Sequence, residues 1–279
     1  MTVWEKPILI YPSTVICWKN RKGERDMNIA IITGASSGIG KEFALQLDAG
    51  LYTIDEFWLI ARRKDRLEEL ACDLDHMAKT IPLDLTQKAD MEHLRALLRK
   101  EHPAVRMLIN CSGYGIMGQF SEIDSREQVG MIDLNCRALT EITHACLPYM
   151  KKNSRIIQLA SSAAFLPQPG FAVYAASKSY VLSFSRALSE ELRSRKIYVT
   201  AVCPGPVQTE FFDRAEKYAA TLAIKKYTMV TPQSVVRAAL TASARKCPLS
   251  TYSPLIKAFR LITKVIPHTL ILKAMRLVK

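Results

Sequence analysis

Residues 27–252 read as one doubly wound α/β domain, a parallel sheet held between two layers of helices in an α/β/α arrangement. Three observations predict it. Short apolar stretches alternate with amphipathic stretches of helical period. The apolar stretches lack the polar alternation of a half-exposed strand, so both of their faces are buried. A glycine-rich turn joins the first such stretch to the first amphipathic one. Strands each followed by a helix imply parallel crossover connections, and ligands of such sheets bind beyond the carboxyl ends of the strands. No linker or composition break divides the domain.

The first strand is the run Ile29-Ala30-Ile31-Ile32, and Ile39, Phe43 and Leu47 place a helix after it at i, i+4, i+8. A second strand is expected over 57–61 and a second helix over 64–78. The third strand is 80–83 with a helix over 87–100. The fourth strand, 106–110, leads to a long helix over 127–150. The fifth strand is 155–160, the fifth helix 172–195 and the sixth strand 197–203. Thr231 and Pro232 supply an N-cap and a first-turn proline for a further helix to about Lys246. Beyond Tyr252, Lys257, Arg260 and Lys264 share a helical face interleaved with Leu255, Ile256, Phe259, Ile262, Val265 and Ile266, and a second short helix is expected over 268–278. Residues 253–279 thus form a basic amphipathic segment.

The formal net charge of +13 is unevenly placed. Lys217 to Lys279 contains 12 of the 39 Lys and Arg and none of the 26 Asp and Glu, so the rest of the chain is almost neutral. Such a segment can lie on an anionic membrane surface, or cover a pocket or subunit interface with its charges in water. It contains no recognised nucleic-acid module and no aromatic platform, which argues against a nucleic-acid partner. The seven cysteines are scattered without a C-x-x-C pair, and so are the five histidines. The expectation is reduced thiols in a cytoplasmic setting and no metal site. Pro7 and Pro12 interrupt the one candidate hydrophobic stretch near the N-terminus, which disfavours a signal peptide, and no run is apolar enough to span a bilayer. Residues 1–26 read as an extension, with Met27 as a candidate native start.

The residues that bear chemistry fall at strand ends. Thr33-Gly34-Ala35-Ser36-Ser37-Gly38-Ile39-Gly40 follows the first strand. Its glycines permit a tight turn and close backbone approach, and the next helix begins where a pyrophosphate would sit. Tyr174 and Lys178 stand one helical turn apart on a shared face. A neighbouring ammonium favours the phenolate and is expected to pull the tyrosine below its ordinary value near 10.

These motifs, with Asp84-Leu85, Asn110-Cys111-Ser112-Gly113, Asn135, Ser161 and Pro204-Gly205, resemble the short-chain dehydrogenase/reductase family over about residues 28–210. The resemblance implies a Rossmann fold, a small carbonyl or alcohol substrate and a homodimer or homotetramer. In such proteins Tyr174 would exchange a proton with the substrate oxygen and Ser161 would hydrogen-bond that oxygen. Lys178 would bind the nicotinamide ribose and Asn135 would hold a water. Asp84 would meet the adenine, although a turn role at a strand end also fits it. The backbone of Val207 and the hydroxyl of Thr209 would lie near the carboxamide. Cys111 departs from the family's usual second Asn. At the end of the second strand stand Arg62 and Arg63 in place of an acidic residue. A guanidinium suits a 2′-phosphate, so NADP(H) is expected over NAD(H), with Arg62 the favoured clamp. Tyr114, Ile116, Met117, Phe165, Leu166, Pro167, Phe171, Phe211 and Phe212 are candidates to line a hydrophobic substrate pocket. A non-catalytic NADP(H) sensor or scaffold on the same fold is the competing reading.

Overall fold

The computed structural model describes residues 9–11, 14–16, 27–50, 53–219 and 229–277. Seven strands form a parallel sheet: β3 (Asn28–Thr33), β4 (Glu56–Ala61), β5 (Met77–Pro82), β6 (Ala104–Asn110), β7 (Arg155–Leu159), β8 (Tyr198–Val202) and β9 (Leu249–Ser250). Two short strands, β1 (Leu9–Tyr11) and β2 (Thr14–Ile16), pair antiparallel and continue the sheet beyond β5. The order is β1-β2-β5-β4-β3-β6-β7-β8-β9. Chain progression reverses between β3 and β6, which makes their carboxyl ends the topological switch point.

Adjacent residues of each central strand serve opposite faces. Ala30 and Ile32 of β3 and Phe57 and Leu59 of β4 pack with α1 (Gly38–Asp48) and α2 (Lys64–Asp73), through Phe43, Leu47, Leu67 and Leu70. Ile29, Ile31, Trp58 and Ile60 face the opposite layer. That layer comprises α3 (Lys88–Glu101), α4 (Ser125–Ile132), α5 (Leu139–Cys146) and α6 (Ala172–Glu191), and it supplies Met91, Leu94, Ile142 and Leu188. Double-sided burial is why these strands carry no polar alternation. The chain continues through α7 (Phe211–Ala215), α8 (Pro232–Ala244), α9 (Pro254–Val265) and α10 (His268–Leu277).

Several elements differ from the sequence reading. The third strand spans Met77–Pro82 rather than 80–83, the fifth helix ends at Glu191 rather than 195, and three further differences have a clear cause. The second helix stops at Asp73 rather than running to 78, because the Asp48 carboxylate accepts from the Asp75 and His76 amides at 2.8 and 2.9 Å. That tie to the end of α1 draws the chain out of the helix and starts β5 at Met77. The helix expected over 127–150 begins at Ser125 and is interrupted by a π-helical stretch, Asp133–Ala138, before α5. β9 is a two-residue strand, too short for periodicity to reveal. The reading of 1–26 as an extension falls, apart from β1 and β2, outside the described residues.

At the switch point Thr33 Oγ1 accepts from the amides of both Cys111 and Ser112, at 3.1 and 3.0 Å. Thr33→Val keeps the shape and orphans both donors. Urea unfolding is expected to show a loss of about 2 kcal/mol, with Thr33→Ser closer to the parent; an unchanged midpoint for the valine variant would remove this bond pair from the account of the fold.

Candidate active site

The glycine turn is shaped by contacts that only glycine permits. Gly34 and Gly38 adopt φ of 67° and 54°, a left-handed region costly to other residues. A Cβ at Gly34 would stand 2.9 Å from the Ser112 amide nitrogen, and one at Gly40 would stand 2.2 Å from the Gly34 carbonyl oxygen. Ser37 occupies the N-cap of α1 without a side-chain capping bond. The first-turn amides, including those of Ile39 and Gly40, therefore meet the crevice with the dipole's positive end. This uncapped, Cβ-free cradle fits a dinucleotide pyrophosphate.

Beside the cradle Arg63, not Arg62, contacts the turn. Its guanidinium donates to Ser36 Oγ at 3.1 Å and Ser37 Oγ at 2.8 Å. It also pairs with Glu210 at 2.8 Å, and Arg66 holds the other oxygen of that carboxylate. Arg62 is exposed and lies close enough to Asp84 to help hold its carboxyl below the usual range. Burial raises that carboxyl, but donation from the Thr86 hydroxyl and amide outweighs it. Asp84 thus closes a turn at the end of β5, with Leu85 buried beside it. Asn110 turns inward and donates to Thr143 Oγ1 and Gln158 Oε1, bracing β6 to β7 and α5.

Four polar side chains gather where β6, β7 and α6 meet. Asn135 sits in the π-helical stretch, fully buried. Its Oδ1 accepts from the Tyr114 amide at 3.0 Å, and its Nδ2 donates to Tyr114 O at 2.9 Å and Ser177 Oγ at 3.0 Å. Insertion of one residue into the helical turn re-aims a side chain that regular geometry would point elsewhere. Lys178 is 4% exposed and donates to Leu159 O at 2.7 Å. Its Nζ lies 5.7 Å from the centre of the Tyr174 ring. Ser161 caps the short turn after β7, accepting from Ala163 N, and its side chain hydrogen-bonds the Tyr174 phenol. Gly113 fits between these groups: a Cβ there would stand 2.8 Å from Asn135 Oδ1 and 3.3 Å from Lys178 Nζ.

The expected lowering of Tyr174 is outweighed by burial. Burial pushes the phenol up to about 12, against the opposing hydrogen bond from Ser161. Burial likewise pulls Lys178 down to about 8, opposed by the nearby thiols of Cys111, Cys136 and Cys203. Desolvation outweighs pairing because both charged forms leave water together.

The turn after β8 closes the other side. Ser162 N donates to Pro204 O, Thr209 stands against Gly38, and Val207 forms a lone bridge with Val230. Gly205 lies against Ile256 of α9. Of the expected apolar lining, Phe171 stacks on Tyr174 with centroids 4.2 Å apart, and Phe211 lies 5.5 Å from it. Tyr114, Ile116, Met117 and Phe212 join the same cluster. Phe165 does not: it is buried with Val181 and Cys203 beneath Phe259 of α9, a core role that sequence spacing did not separate from a pocket role. Leu166 is buried and Pro167 exposed. Residues 220–228, between α7 and α8, lie outside the described residues. Glu210 and Ser177 were not singled out in the sequence; their roles come from partners 147 and 42 positions away.

Residues 28–219 match the family model for short chain dehydrogenase. The chain is 35% identical over 185 residues to a very-long-chain 3-oxoacyl-CoA reductase of Pyrenophora tritici-repentis, covering 62% of this chain and 53% of that one. A short-chain dehydrogenase from Sphingobium yanoikuyae, solved in complex with NADPH, superposes with TM-score 0.71 at 28% identity, over 86% of this chain and 96% of the other. A Burkholderia phymatum short chain dehydrogenase/reductase in complex with NAD shares the fold with TM-score 0.73 at 22% identity, over 86% and 94%.

Because Gly113 fills the space between Asn135 and Lys178, Gly113→Ala is expected to cost about 1–3 kcal/mol, read as a lower thermal midpoint. A midpoint equal to the parent would show that the site has slack there.

Proposed function

Since the chain belongs to the short-chain dehydrogenase family, we propose that it is an NADP(H)-dependent reductase of a hydrophobic ketone or aldehyde, with Asn135, Ser161, Tyr174 and Lys178 as its working residues. The observation that carries the reading is the buried Tyr174 ring, with Phe171 stacked on it and Lys178 Nζ 5.7 Å from its centre, and with the Ser161 side chain in position to act on its phenol. When bound, the cofactor supplies the hydride. The phenol of Tyr174, held protonated by burial, donates to the carbonyl oxygen. The Ser161 hydroxyl donates to the same oxygen and stabilises its growing negative charge. The Lys178 ammonium binds the ribose hydroxyls and makes loss of the tyrosine proton less costly. Asn135 positions Tyr114 and Ser177, and through Ser177 the first turn of α6, since Ser177 Oγ donates to Tyr174 O at 2.7 Å.

The choice of NADP(H) rests on a place where two guanidiniums, Arg63 and Arg66, already hold one anion, Glu210. A phosphate monoester competes for such a pair, whereas a ribose hydroxyl does not. Arg62 adds positive charge alongside. The apolar choice of substrate rests on Phe171, Phe211, Ile116 and Met117 around the phenol.

The decisive experiment follows NADPH oxidation against a panel of carbonyl compounds. Tyr174→Phe is expected to lower kcat/KM roughly 100–10,000-fold; tight NADPH binding without turnover of any compound would instead favour the sensor or scaffold. The pH profile carries a sign. The Lys178 cation is present below about 8 and lost above it, while the phenol keeps its proton to about 12. Reduction is therefore expected to hold level at neutral pH and fall about tenfold per unit above pH 8, and a flat profile to pH 10 would exclude Lys178 as the titrating group. Arg63→Ala is expected to weaken NADPH binding roughly 10–100-fold with little change for NADH, measured by titration; the same loss in Arg62→Ala alone would return the clamp to Arg62.

A further inference from the structure

The C-terminal helices α9 and α10 have a surface that nothing in the proposed reaction uses. Through Ile256, Phe259 and Thr263, spaced i, i+3, i+7, α9 packs on the protein body against Gly205 and Phe165. The outward side of that helix is apolar where solvent would ordinarily select charge. Leu261 and Val265 are 64% and 73% exposed, and Leu255, Ile262 and Ile266 are exposed beside them. On α10, Leu270 and Met275 are exposed as well. Lys257 and Lys264, at i and i+7, form the flank of the outward face, and Lys273 and Arg276 extend the basic character along α10.

On that flank, between α6 and α9, lies a cavity of about 300 Å³. Arg186, Arg260, Lys264 and His268 line it together with Phe165 and Leu182, and no carboxylate is among the described residues that line it. Glu190, one turn beyond Arg186, is engaged with Arg193. His268 Nε2 donates to Thr263 O at 3.2 Å, which fastens the start of α10 to α9 at the cavity wall. Basic groups left together without an acidic partner repel one another, a cost that an anion relieves.

We propose that α9 and α10 form a docking surface for an anionic phospholipid bilayer, with the Arg186–Arg260–Lys264–His268 cavity receiving a headgroup phosphate. Apolar side chains facing outward with lysines on the flank are the arrangement of a helix lying in the membrane interface. The lysine stems reach up to the phosphates while their neighbours enter the acyl boundary. A second copy of the chain is a poor occupant, since a two-fold contact would bring like charges together. Nucleic acid is a poor occupant too, since the outward face is aliphatic and offers no stacking platform. The attachment is peripheral, as none of the described helices is long and apolar enough to cross a membrane.

The test is flotation of the full chain with vesicles of phosphatidylcholine alone and of phosphatidylcholine containing phosphatidylglycerol. Binding is expected only to the second, weakening with salt. Replacing Lys257→Gln and Lys264→Gln together is expected to lower the partition coefficient roughly 25-fold. Arg186→Gln is expected to weaken binding as well, and Leu261→Asp with Val265→Asp to abolish it, all with the parent thermal midpoint and carbonyl turnover. Equal binding to phosphatidylcholine alone, or none to either vesicle, overturns the proposal. So does titration showing that free glycerol phosphate fills the cavity while vesicles are ignored, which would identify a soluble phosphate ligand. Sedimentation in which Leu261→Asp dissociates a dimer without altering flotation would assign the face to a second copy.

Discussion

The close passage of two backbones at the switch point sets the position of everything around it. The turn after β3 and the segment after β6 approach until a single Cβ at Gly34 would strike the Cys111–Ser112 peptide. Thr33 Oγ1 fixes the separation by taking both amides of that segment. From there the chain runs straight to Gly113, which is wedged against Asn135 and Lys178. The pyrophosphate cradle and the four-residue polar cluster are therefore the two ends of one rigid connection. A displacement of β6 relative to β3 would move both, and an error of an ångström in such a site is costly to chemistry.

Burial of Tyr174 and Lys178 disfavours the charged form of each. Each side chain resists ionisation alone, the phenol by a rise to about 12 and the ammonium by a fall to about 8. Both shifts have one cause, desolvation. A raised phenol suits a proton donor at neutral pH, because the group arrives charged with its proton. In the proposed reaction, what it loses in acidity would be regained from Ser161 and Lys178 as the proton departs.

Most of this architecture is legible in the chain because both faces of the sheet impose the same rule. Residues such as Ile29–Ile32 must be apolar throughout, and the helices between strands must be apolar on one side only, so two periods suffice to find them. The glycine turn is legible for a similar reason, since backbone constraints leave one residue type. Legibility fails where a long-range partner decides. Nothing local ends the second helix at Asp73; the carboxylate of Asp48, on another helix, does so. Nothing local separates Arg62 from Arg63; that Arg63 is the one in contact with the glycine turn follows from Ser36, Ser37 and Glu210 converging from elsewhere. Phe165 reads like a pocket residue until α9 covers it.

The same helix ties the periphery of the molecule to its centre. Ile256 of α9 presses on Gly205, where even one added carbon would sit 2.9 Å from its Cδ1. The Pro204–Gly205 turn in turn accepts from Ser162 N, next to Ser161. Close-packed interiors pass displacement along such contacts rather than absorbing it. The outward apolar face of α9 and the inward hydroxyl of Ser161 are thus separated by one side chain, one glycine and one hydrogen bond. The packing that seats α9 on the protein body therefore adjoins the turn that borders the polar cluster.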